Sequence, residues 1–139
     1  MEDSWRYGRP PMPAPEPDDL SRRALDVLDR NRRGEWTCPS SELYPHQWLW
    51  DSCFIAMGLA GTDPARAAGE LRALLRGQWS NGFLPHMIFS PDVPDVGSRR
   101  IWQSTRHPEA PRDVHTSCIT QPPLVAVAAW CRGRTPTGG

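Results

Sequence analysis

Lysine is missing from this 139-residue chain, and all 16 of its basic residues are arginine. The arginines are dispersed, so their use in place of lysine reads as a coding bias rather than as a carboxylate- or phosphate-binding site. Neither sign of charge is in excess, because 16 acidic residues balance the 16 arginines. That removes the electrostatic footprint of a nucleic-acid or anionic-membrane binder, and no partner of either kind is expected. No apolar run approaches the roughly 18–20 residues that cross a bilayer. No apolar segment follows the first charged residues as a secretory signal would require, so a cytoplasmic location is expected. The four cysteines, Cys38, Cys53, Cys118 and Cys131, contain no CxxC pair, and the histidines are scattered. Free thiols are therefore expected, and a metal site is not.

Proline, by contrast, is plentiful at 16 residues, and much of the chain must be loop. Residues 1–17 carry five of these prolines close together and read as a disordered leader. Asp18 and Asp19 then stand where an N-cap belongs, ahead of an apolar stripe of Leu20, Ala24, Val27 and Leu28, and Gly34 can close that helix. A second helix is predicted from about His46 to Ala60. One stripe there holds Leu49, Cys53, Ala56, Met57 and Ala60, and an opposite one holds Trp48, Ile55 and Leu59, as expected of a buried helix. Asp63-Pro64 opens a third helix with Ala67, Ala68, Leu71, Leu74 and Leu75 inward and Arg66, Glu70, Arg72 and Arg76 elsewhere. The short joint makes these two a helical hairpin. A loop-rich stretch from Gln78 to about Ser117 precedes a fourth helix opening near Gln121-Pro122-Pro123, with Leu124, Val127, Ala128 and Cys131 on one face.

Chemistry concentrates in Tyr44-Pro45-His46-Gln47-Trp48-Leu49-Trp50-Asp51-Ser52. An aspartate on an apolar helix is costly to bury unless it meets hydrogen-bond donors or a polar cavity. Sugars offer apolar faces that stack on aromatic rings and hydroxyl edges that pair with carboxylates, amides and imidazoles, so this mixture suits a monosaccharide pocket. Gln78-Trp79-Ser80-Asn81-Gly82-Phe83-Leu84-Pro85-His86-Met87 repeats the composition on a loop.

These two strings, with SRRIWQS and CITQPP further on, resemble the catalytic domain of glucosylglycerate and mannosylglycerate hydrolases, relatives of glycoside hydrolase family 63. The resemblance runs from about Leu20 to Trp130. It implies an all-α fold, here an incomplete (α/α)6 toroid of about four helices plus a long loop over residues 18–132, with 133–139 an unstructured tail. It also implies that Tyr44, Trp48 and Trp50 line the glycosyl pocket, that Asp51 meets sugar hydroxyls or the attacking water, and that Gln121 reaches the same space. Trp79 and His86 follow as loop residues near it, and the loop from about Asp92 to Ser104 as a mobile cover.

The family is inverting and needs one carboxylic acid and one carboxylate, but no cofactor. Glu42, Asp63, Glu70, Asp92, Asp95, Glu109 and Asp113 read as cap, outer-face or loop residues, which leaves Asp51 alone. No catalytic pair is therefore expected within the chain. The expectation is an N-terminal fragment of a hydrolase for a small α-glycoside, inactive by itself. The alternatives are a non-catalytic sugar-binding fragment and a non-functional truncated gene product.

Overall fold

The computed structural model describes residues 17–94 and 98–133. The leader and tail expected from sequence lie outside these residues, except that Pro17 already opens the first helix and Gly133 follows the last. Helix α1 is Pro17–Arg30. Asp18 and Asp19 occupy its first turn rather than the cap, where the positive end of the helix dipole favours them. Leu25 and Leu28 pack against the core, whereas Leu20 and Val27 are 57 % and 46 % exposed. The apolar stripe is thus rotated from the one expected, and α1 is attached by one edge.

Gly34 does not cap α1. Strands β1 (Arg32–Arg33) and β2 (Trp36–Thr37) form a hairpin, and Gly34 takes φ +65° in its two-residue turn. A positive φ at the first central residue of so short a loop is where glycine is favoured. Strand β3 (Gln47–Trp48) pairs antiparallel with β4 (Met87–Ile88). This corrects the predicted start of the second helix at His46: Gln47 and Trp48 are extended, and α2 runs Leu49–Leu59.

Helix α3 is Pro64–Leu75, with Asp63 accepting from the Arg66 backbone N–H at 2.9 Å. It packs chiefly on α2, which in turn packs on α5. The core joins Leu49, Cys53, Ala56 and Leu59 of α2 with Ala67, Leu71 and Leu74 of α3, and with Ile88 and Ala128. Two sequence expectations about exposure do not hold. Helix α2 is buried on one side only, since Trp50 and Phe54 stand 41 % and 51 % exposed. Helix α3, expected to be an outer charged helix, hides Glu70 completely at 0 % exposure.

The stretch expected to be irregular contains α4 (Ser98–Trp102) and a 3-10 turn at Ser104–Arg106. Helix α5 is Val125–Arg132 and begins after the Gln121–Pro123 segment rather than on it. Its inner face is Leu124, Val125 and Ala128, while Val127 is 47 % exposed. The chain is therefore mostly helical, with five helices and four two-residue strands among the described residues. Within them no helix is long and apolar enough to cross a membrane.

Gly77 lets the β3–β4 ribbon close on the end of α3. A Cβ there would stand 2.5 Å from Cδ1 and 2.7 Å from Cγ1 of Ile88. Gly77→Ala is expected to lower stability by about 1–3 kcal/mol through overpacking, seen as an earlier urea midpoint. An unchanged midpoint would show that Ile88 moves aside without cost.

Candidate functional site

Helix α2 begins without a side-chain cap of its own, because its N-cap residue is Trp48. The first-turn N–H groups of a helix have no internal acceptor, and here distant segments supply them. The Leu49 N–H donates to the His86 carbonyl at 2.9 Å, and the Trp50 N–H donates to Oε1 of Gln121, also at 2.9 Å. The residue just before β4 and the segment just before α5 are thereby tied to the turn that carries Trp50, Asp51 and Ser52.

Two cavities meet at Asp51. One, of about 420 Å³, is lined by Pro39, Ser40, Tyr44, Trp48 and Asp51. The other, of about 480 Å³, is lined by Trp50, Asp51, Phe54 and Gln121 together with Cys38 and Pro39. Among the described residues, Asp51 is the one carboxylate lining either. It is half-buried, and burial raises its affinity for a proton above that of an ordinary aspartate, against a hydrogen bond from its own backbone. Among the described residues no arginine pairs with it.

The aromatic residues form a continuous edge-on series. Tyr44 meets Trp48 with ring centroids 5.9 Å apart, Trp48 meets His86 at 5.2 Å, and His86 meets Trp102 at 5.4 Å. His86 is buried, and its Nδ1 lies 2.5 Å from the Ser117 hydroxyl. Burial holds its imidazole below the usual histidine value, against hydrogen bonding to the Ile119 backbone. The indole N–H of Trp48 is buried with no acceptor among the described residues, an arrangement that costs about 1–3 kcal/mol where it occurs.

The residues singled out in the sequence thus fall into three places. Tyr44, Trp48 and Asp51 share one cavity; Trp50, Asp51 and Gln121 share the other; and His86 backs Trp48. Trp79 stands apart. It is 7 % exposed, donates from Nε1 to Thr116 Oγ1 at 3.0 Å, and packs against Phe83 and His107. Trp102, the tryptophan of the SRRIWQS string and not among the expected site residues, extends the aromatic series.

Glu70 carries the charge of an outer-face residue, and the fold places it inside. Its Oε1 accepts from the Thr37 N–H at 2.9 Å and the Ser52 hydroxyl at 3.0 Å. Its Oε2 accepts from the Thr37 hydroxyl at 3.2 Å. Burial makes the side chain easier to protonate than an exposed glutamate, outweighing the opposing pull of the Thr37 and Ser52 donors and the Arg66 charge.

Residues 44–135 match the mannosylglycerate hydrolase MGH1-like glycoside hydrolase domain. The chain belongs to that family. It is 46 % identical over 118 residues to a mannosylglycerate hydrolase of Rubrobacter radiotolerans, covering 82 % of this chain and 26 % of that protein. A glucosylglycerate hydrolase of Mycolicibacterium hassiacum is 42 % identical over 118 residues, covering 84 % of this chain and 26 % of its own length. Among solved structures, a family 63 mannosylglycerate hydrolase of Thermus thermophilus, in complex with Tris and D-glycerate, superposes with a TM-score of 0.71 at 40 % identity. That match covers 86 % of this chain and 27 % of the other. The same enzyme in complex with glucose gives a TM-score of 0.63 over 85 % of this chain and 28 % of that one. This family member therefore spans about a quarter of the length of the relatives it matches.

The buried Glu70 makes a specific pH dependence. Its folded-state pKa is raised, so between its unfolded and folded values the native state binds the extra proton, and the associated stability is lost as pH rises through the folded value. Glutamine can keep the same partners, with its oxygen at the Oε1 position and its amide donating to the Thr37 hydroxyl, the reverse of the native bond. Glu70→Gln is expected to gain stability relative to the unaltered chain as pH rises from the ordinary carboxylate range towards neutrality. Urea unfolding across a pH series measures this, and a constant difference would place the glutamate titration outside the folding equilibrium.

Proposed function

We propose that the chain forms the N-terminal part of an (α/α)6 toroid and supplies part of the glycosyl subsite of an inverting hydrolase for mannosylglycerate or glucosylglycerate. The supporting observation is the position of Asp51. It sits half-buried between Tyr44 and Trp48 on one side and Trp50 and Gln121 on the other. A hexose laid there would stack an apolar face on an indole and offer its hydroxyl edge to the carboxylate. Relatives that are mannosylglycerate and glucosylglycerate hydrolases, and a relative solved with D-glycerate and with glucose, support the substrate class.

Inversion needs a proton donor and a water-activating carboxylate about 6.5–9.5 Å apart. Among the described residues, no second carboxylate faces Asp51 across either cavity. Glu70 is sealed from both spaces at 0 % exposure. On this reading the 139 residues bind a glycoside and do not turn it over. The same observation favours non-catalytic sugar binding as the behaviour of the isolated chain.

Titrating the chain with mannosylglycerate and glucosylglycerate should perturb its tryptophan fluorescence. Asp51→Asn should weaken that binding by about tenfold or more, the worth of a hydrogen bond to a charged group. Trp79→Phe should leave the affinity unchanged while lowering stability by about 1 kcal/mol through loss of the Thr116 bond. Hexose release should stay at background. A folded chain whose fluorescence ignores both glycosides removes the sugar site, and genuine turnover would place an acid and a base within these residues.

A further inference from the structure

We infer that Glu70, which lines neither cavity, is a positioning residue that fixes the walls of the Asp51 site through Thr37, Gln47 and Ser52. Each of those three is one residue away from a lining group. Thr37 precedes Cys38 and Pro39, Gln47 precedes Trp48, and Ser52 follows Asp51. All three are bound to Glu70. The carboxylate takes the Thr37 N–H and hydroxyl and the Ser52 hydroxyl. The Glu70 carbonyl takes Gln47 Nε2 at 3.3 Å, and the same amide donates to Ser52 Oγ at 3.1 Å.

The four side chains are buried, with exposures of 1 % for Thr37, 2 % for Gln47, and 0 % for Ser52 and Glu70. Water is therefore not available to replace a lost acceptor, and each orphaned donor would carry the full cost of its desolvation. The network also has a direction. With Gln47 donating to it, the Ser52 hydroxyl is turned to give its own hydrogen to Glu70, and the carboxylate is the terminal acceptor. The Glu70 carboxylate thus ties β2 to the first turn of α2, and β3 joins them through the Glu70 carbonyl and through Ser52. Those are the segments that hold the Pro39, Trp48 and Asp51 walls.

The functional consequence rests on the glycoside-site reading, but the positioning itself does not, and the test separates the two. In 15N spectra of the full chain, Glu70→Ala should move the Trp48 indole and the Asp51 amide while leaving the Trp79 indole, held by Thr116, in place. Glu70→Gln should restore the unaltered positions, because it can satisfy the same partners. Where the unaltered chain binds mannosylglycerate or glucosylglycerate, Glu70→Ala should weaken binding about tenfold and Glu70→Gln should stay near the starting affinity. Ser52→Ala removes both bonds of the α2 arm, to Glu70 and from Gln47, while leaving the Thr37 arm in place, and it should displace Asp51 even if Glu70→Ala does not fold. Unmoved Trp48 and Asp51 signals in both alanine variants overturn the inference, as does a Trp79 shift as large as that of Trp48. Absence of glycoside binding by the unaltered chain counts against the sugar site alone, since the resonance arm still reads the positioning.

Discussion

A carboxylate with no exposure has to be surrounded by donors, and that requirement organises this fold. Glu70 gathers two hydroxyls and a backbone N–H from two other segments. Ordinary apolar packing of α2 on α3 would tolerate small slides along the helix axes. The hydrogen bonds do not, because each has a narrow range of length and angle. The hairpin β1–β2 gives no residue to the apolar core cluster, yet Thr37 is anchored at 1 % exposure. Such a network is costly when half-made and specific when complete. The walls around Asp51 inherit that specificity.

A second constraint acts at the start of α2. The helix has no cap in its own sequence, so its first N–H groups depend on His86 and Gln121, residues far along the chain. The β3–β4 pairing holds His86 beside α2, and the same pairing sets Trp48 in extended backbone. Closure of the loop and exposure of Trp50 and Asp51 are consequently parts of one arrangement. The aromatic series from Tyr44 through Trp48 and His86 to Trp102 follows from it, because the strand pair puts two of those rings at contact distance.

Local signals in the sequence suffice where capping and periodicity agree. Asp63-Pro64 opens α3, and the short joint to α2 gives the helical hairpin. They fail where a non-local partner decides. Gln47 and Trp48 fit a helical pattern, but their strand partner is about 40 residues on, as the pairing of Gln47 with Ile88 and Trp48 with Met87 shows, and no window of sequence contains it. Gly34 can stop a helix or turn a hairpin, and only the pairing of Arg33 with Trp36 chooses. Glu70 is legible in principle. At about 100° per residue it lies near Ala67 and Leu74 on the apolar face of α3, and grouping it with the arginines by charge conceals that. Trp79 shares a composition with the site residues, but its indole has a closer use in bonding Thr116.

The chemistry open to Asp51 is bounded by its surroundings. Its place in the first turn of α2 favours the ionised form, while burial favours the protonated one and prevails. A carboxylate in that balance, facing aromatic rings and an amide, can accept hydrogen bonds from hydroxyl groups at modest cost, because each such bond returns solvation that burial removed. Protonating a leaving oxygen while activating water on the opposite side of a ring is a different demand. It needs two carboxyl groups whose environments push their proton affinities apart. The second buried carboxylate among the described residues is committed to Thr37 and Ser52 and reaches neither cavity. On the proposed reading Asp51 and its neighbours grip a sugar, and cleavage of its glycosidic bond requires a partner carboxyl that no described residue of either cavity wall provides.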